Sequence, residues 1–182
     1  MFEQLLEIVR QQADEQIVRN DAIDNKFNED AIQEAANSIQ DTLRDQLANG
    51  HLQDVMQLFR QGDAGADNPM VQQISSMFSK QLGSKFQVDG LKADGIASQL
   101  IPMILSRFIK KTNDPDDASV DINDIFGSLT GNKSSGIDFS KILKQEKDDD
   151  GFGMDDIMDM VKKGASSQKG GGGLLGSLLG GK

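Results

Sequence analysis

The stretch DGLKADGIASQLIPMILSRFIK, residues 89–110, decides the class of the fold. Ile96, Leu100, Ile101, Met103, Ile104, Leu105, Phe108 and Ile109 recur at spacings of three and four and spread over much of a helix circumference. A helix apolar on so many sides is one that others surround. The spacing predicts a helix from Leu91 or Ala93 to Lys110, behind Asp89. Pro102 lies inside it, which predicts a kink and an unpaired carbonyl at Ser98.

Working back toward the N-terminus, the same periodicity repeats. Asn68-Pro69 reads as a cap followed by proline in a first turn. The helix it opens would bury Val71, Ile74, Met77, Phe78 and Leu82 and stop at Gly83. A short helix is expected over His51–Arg60, closed by Gln61-Gly62, and a longer one over Asn28–Ala48, stopped by Asn49-Gly50. Phe2 to Val18 carries one broad apolar stripe. No alternating β-branched run appears anywhere. The expected class is all-α, a small irregular array of about five helices over residues 1–111.

Forward of Lys111 the character changes. All five Arg residues lie upstream, and 13 of the 19 glycines lie downstream. Short apolar islands sit between Gly, Ser and Asp spacers: Ile122 to Leu129, Ile137 to Leu143, Phe152 to Val161, and Leu174 to Leu179. Phe126, Phe139 and Phe152 are spaced thirteen apart. Each island is too short to hold a helix alone in water. Residues 112–182 are therefore expected to form a largely flexible, acidic Gly/Asp/Ser-rich tail whose elements order only when docked.

The bulk numbers narrow the function. The net charge is −10, shared equally between residues 1–111 and 112–182. Phosphate backbones and anionic headgroups would repel both parts, so no nucleic-acid partner is expected. There is no Cys and one His, which removes thiolate chemistry and multi-His metal sites. No segment reaches the roughly 18–20 apolar residues of a membrane span. The N-terminus, MFEQLLEIVRQQADEQ, has acids where a secretory signal carries Lys or Arg. A cytoplasmic protein is expected.

No residue pattern carries chemistry. Aligning Gly151 with the invariant glycine of a calcium loop places Ile157 where a bidentate Glu must close the cage. The Asp121-Ile-Asn-Asp run lacks the glycine altogether. His51 has no nucleophile or orienting acid that the sequence points to. The run of four glycines at 170–173 follows no strand and precedes no Lys-Ser/Thr. No catalytic, cofactor or metal site is expected.

Residues 71–108, VQQISSMFSKQLGSKFQVDGLKADGIASQLIPMILSRF, share a layout with a known group. Leu82-Gly83 ends one helix, Val88-Asp89 makes a turn, and Ala97, Leu100, Pro102 and Leu105 mark the next helix. This resembles the YidB-like family of bacterial proteins, a domain of unknown function. NGHLQDVMQLFRQGDAG, residues 49–65, resembles that family's short helix and Gly-rich loop, and LLGSLLGG at 174–181 resembles its Gly-Leu terminus. The likeness is best over 70–108. Residues 112–150 have no counterpart, and Phe86-Gln87 reads as an insertion. The resemblance implies a small all-α array and supplies no catalytic residues.

The expected function is a non-enzymatic interaction or assembly module, docking on a protein partner or on its own copies. Its candidate docking residues are Phe126, Phe139, Phe152, Ile157, Met158, Leu174, Leu175, Leu178 and Leu179. The alternatives are weak membrane contact through the Gly/Leu terminus, and a tail that packs back as part of the fold.

Overall fold

The computed structural model describes residues 2–62, 64–114, 116–117, 119–130 and 138–140. The chain divides into two units, 1–148 and 149–182, and the second lies outside the described residues. Every regular element described is helical. They are α1 (Phe2–Gln12), a π-turn (Asp14–Val18), a 3₁₀ turn (Asn25–Phe27), α2 (Asn28–Ala48), α3 (Leu52–Gln61), α4 (Pro69–Phe86), α5 (Gly90–Asn113) and α6 (Ile122–Thr130).

Helices α4 and α5 form a hairpin across residues 87–89. Helix α2 packs on α4, α1 bridges α2 and α5, and α6 lies on α2. Helix α5 is central, as its sequence requires. Nine of its side chains are buried, from Ala93 through Leu100 and Ile104 to Ile109.

Local signals place most of the ends. Asn49-Gly50 closes α2 with Gly50 at φ 86°, where Gly50 N–H bonds Leu47 O and His51 N–H bonds Gln46 O. That reciprocal pair satisfies carbonyls the last turn leaves open. Asn68 accepts from the backbone N–H groups of Met70 and Val71, and Asp89 accepts from Leu91 N–H.

Two expectations need correcting. The first helix does not run to Val18. It ends at Gln12, and Ile17 and Val18 both bond back to Ala13 O in a π-turn. The wider turn changes the facing of the chain, leaving Ile17 buried and Val18 exposed. Helix α4 does not stop at Gly83. A glycine inside a helix costs about 1 kcal/mol relative to Ala, and the next turn more than offsets it. Phe86 there lies 5.6 Å from the Phe27 ring, and Lys85 pairs with Glu34. The helix ends instead at Gln87, in the left-handed region at φ 58°. The helix expected around Pro102 is present, and α5 runs through the proline to Asn113. The bond that proline removes would have used Ser98 O, and Ser98 is exposed, so water can satisfy that carbonyl.

The largest difference concerns the boundary expected at Lys111. Described residues past Lys111 belong to the first unit and its core. Val120, Ile122, Ile125, Phe126, Leu129 and Phe139 are all buried in it. Asp121 caps α6, accepting from Asn123 N–H at 2.6 Å. Asn123 Oδ1 in turn accepts from Phe139 N–H at 2.7 Å. Val120 and Ile125 occupy the flanking apolar positions of a stapled helix start. The acidic run that failed as a calcium loop is thus a helix cap.

The connector before α6 is held by Asp117. Its carboxylate accepts from the Ser119 hydroxyl and the Ser119 N–H and pairs with Lys111 Nζ at 3.0 Å. These contacts, the Ser119 hydroxyl first, lower its pKa from 3.8 to about 2. A depressed carboxylate stabilises the fold above the unfolded pKa and loses that contribution as pH falls through the folded one. The stability difference between wild type and Asp117→Asn is therefore expected in full at pH 6. It should shrink below pH 4 and vanish only once the pH is below the folded value of about 2, as read by urea unfolding at each pH.

Candidate functional site

Among the described residues, the core takes nearly all the large apolar side chains. Only Val18, Leu91 and Met103 are large and exposed, at 40%, 85% and 41%. They come from the π-turn, the start of α5 and its middle, so single exposed side chains rather than a stripe describe this surface.

Two sequence-predicted docking residues fall inside the core. Phe126 is 0% and Phe139 2% exposed. Their rings stack with centroids 4.3 Å apart and planes 15° from parallel. Phe126 also meets Phe59 of α3 at 5.9 Å, and Phe59 meets Phe108 of α5 edge-on at 6.1 Å. The four rings form a continuous chain from α5 to the residue after Asp138. Buried aromatic surface of this kind is structural, which corrects the expectation that Phe126 and Phe139 dock a partner. Phe152, Ile157, Met158, Leu174, Leu175, Leu178 and Leu179 lie outside the described residues.

The one His is part of a surface pair. His51 Nδ1 is 3.2 Å from Asp54 on the next turn, and both side chains are more than half exposed. An exposed pair of this kind has neither a dry environment nor a positioned nucleophile to work on. Among the described residues no group of three or more His, Cys, Asp or Glu side chains is arranged to hold a metal ion.

A polar groove of about 740 Å³ lies where α2 ends and α4 begins, across from α3. Gln46, Gln57, Gln61, Asn68 and Gln73 line it with Asp54 and Asp67. Gln46 Nε2 donates to Gln73 Oε1 at 3.1 Å, and Asn68 Nδ2 to Gln61 Oε1 at 3.5 Å. Amides that pair across the groove can offer donors and acceptors to a polar ligand. Sequence reading passed over them because Gln residues scattered on helices look like ordinary solvated faces; only their recurrence on α3 and α4 was a signal.

Charge within the helical unit serves its packing. Glu34 on α2 has a side chain only 11% exposed, and Lys85 on α4 reaches it at 2.6 Å. Lys85→Ala is expected to lower stability by about 1–3 kcal/mol, because the carboxylate stays desolvated without its cation. Combining it with Glu34→Gln should restore much of the loss in urea unfolding. At the surface, Arg10 near the end of α1 pairs with Glu29 in the first turn of α2, and the guanidinium hydrogen bond holds the Glu29 carboxyl below its usual range.

No helix among the described residues is long and apolar enough to cross a membrane. Comparison of the chain with known protein families, with characterised proteins and with solved structures returned no match.

Proposed function

We propose that the chain is a non-enzymatic protein-interaction or assembly module of the cytoplasm, in which a helical platform carries weak apolar docking elements. The observation that supports this reading is the partition of apolar side chains. The helical unit consumes its own, including Phe126 and Phe139, and leaves only three large ones exposed among the described residues. Apolar islands recur in the sequence beyond residue 148, at Phe152, at Ile157 and Met158, and at Leu174, Leu175, Leu178 and Leu179. Those residues are the docking elements, and the partner is another protein or further copies of the chain. The resemblance of residues 70–108 to the YidB-like family accords with a helical platform that has no catalytic residues of its own.

Each element contributes little alone. Burying one Phe, Leu or Met side chain is worth about 1.5–3 kcal/mol before ordering costs. A tether that holds the elements at about millimolar effective concentration makes the contacts add.

The test compares the full chain with two full-length variants, one with Phe152, Ile157 and Met158 changed to Ala, the other with the four terminal Leu changed to Ser. Crosslinked capture from native extract is expected to fall at least tenfold in one or both, with thermal unfolding of the helical unit unchanged. Capture that survives both sets of changes refutes docking by these elements and places binding on the helical surface. Co-flotation with anionic vesicles that only the Leu→Ser variant loses would transfer the terminus to a membrane role.

A further inference from the structure

We propose that the groove filled by α6 is an exchange site, able to accept the same helix, Ile122–Thr130, from a second copy of the chain. Two chains would pair by trading α6 and the residues after it. The proposal does not depend on the apolar elements beyond residue 148.

Helix α6 is seated as a ligand helix is seated. Its apolar residues Ile122, Ile125, Phe126 and Leu129 fall at i, i+3, i+4 and i+7, and all are at most 4% exposed. That is the anchor pattern of an amphipathic helix laid in a groove. The groove belongs to the preceding helices, with α2 along it and Phe59 of α3 under the Phe126 ring. The plug is tied to itself by the Phe126–Phe139 stack and the Asn123–Phe139 hydrogen bond. It can therefore move as a piece.

A nine-residue helix is too short to persist alone, so α6 must occupy some copy of this groove. Any copy serves, because a second chain offers the same contacts. The connector decides which. Eight residues, 114–121, separate α5 from α6. With Val120 and Asp121 kept in the capped start of α6, residues 114–119 reach about 20–22 Å when extended, which is enough to deliver α6 to a neighbour in contact. In the closed form the connector is folded on itself by local bonds, Asp116 N–H to Asp114 Oδ1 at 3.0 Å and Lys111 to Asp117 at 3.0 Å. Opening gives up these local bonds, one of them part-buried, and keeps the buried contacts of α6 and its capped start. The competition is then between tether and concentration. A short tether presents α6 to its own groove at about millimolar effective concentration, so closed monomers prevail at micromolar protein and exchange grows where copies are crowded.

The test uses two full-length chains with different tags, one Phe59→Ala (damaged groove, intact plug) and the other Phe126→Ala (intact groove, damaged plug). Each closed monomer contains one damaged contact. A mixed exchanged dimer restores one Phe59–Phe126 contact. At about 100 µM the mixture is expected to yield a 1:1 dimer, by tag capture and light scattering, at least tenfold above either variant alone. Capture from the mixture no greater than from the separate variants overturns the proposal, as does a dimer that either variant forms equally well by itself. Should the Ala variants lose their helicity, Phe59→Leu and Phe126→Leu, mixed and read in the same way, decide it.

Discussion

Phe59→Ala is expected to lower the stability of the helical unit by about 3–5 kcal/mol, the range for emptying a buried Phe site. The midpoint of thermal unfolding should fall by roughly 10 °C or more for a unit of this size. Phe59 is 0% exposed and lies between Phe108 at 6.1 Å and Phe126 at 5.9 Å. Truncation removes the ring in contact with both, so the cavity opens where α3, α5 and α6 converge. Helices α3 and α6 both pack on α2, and α5 on α4 and α1, so they cannot close over it without breaking those contacts. Urea unfolding should show a lower midpoint at unchanged slope. A loss below about 1 kcal/mol would mean that the four-ring chain does not exist in solution.

Phe126→Ala is expected to cost about 3 kcal/mol, but to spend it locally. Helix α6 is held by four side chains and the Phe139 stack, so losing the ring should release 122–130 while α2, α4 and α5 remain folded. Amide hydrogen exchange should accelerate across α6 and little elsewhere. This result separates packing from docking. A Phe126 that served a partner would leave stability untouched when truncated and weaken only capture. The same burial shows that a chain stopped at Lys111 would uncover Phe59. Comparisons of binding therefore belong to full-length variants.

The parts of the fold legible in the sequence are those written in a few neighbouring residues. The bounds of α2 follow from the Ile32, Ala35, Ala36, Ile39, Leu43 stripe and from Asn49-Gly50, whose glycine takes the left-handed turn. Asn68-Pro69 and Asp89 mark helix starts because a side-chain oxygen reaches an N–H two or three residues on. The central place of α5 follows from apolar residues on too many sides to face water. None of these needs knowledge of a distant partner.

Gly83 misled because its conformational freedom permits a stop without requiring one, and the contacts of Lys85 and Phe86 with α2 and Phe27 lie about fifty to sixty positions away. The composition change at Lys111 misled for a related reason. Gly, Ser and Asp spacers report how the chain is connected. They do not report whether a short apolar helix finds a groove. The polar amide groove was illegible as well, since its Gln residues meet only when α2, α3 and α4 are assembled.

The all-α class, the helix caps and the acidic charge are thus properties of the sequence alone, because spacing, capping and charge act over a few residues or over the whole chain at once. Which apolar residues are core was decided by tertiary structure. Phe126 and Phe139 sit among the same Gly, Ser and Asp spacers that suggested a tail, yet Phe126 is buried against Phe59, nearly seventy residues before it, and Phe139 is buried against Phe126. Burial depends on what the rest of the chain places opposite a side chain, and no local pattern contains that.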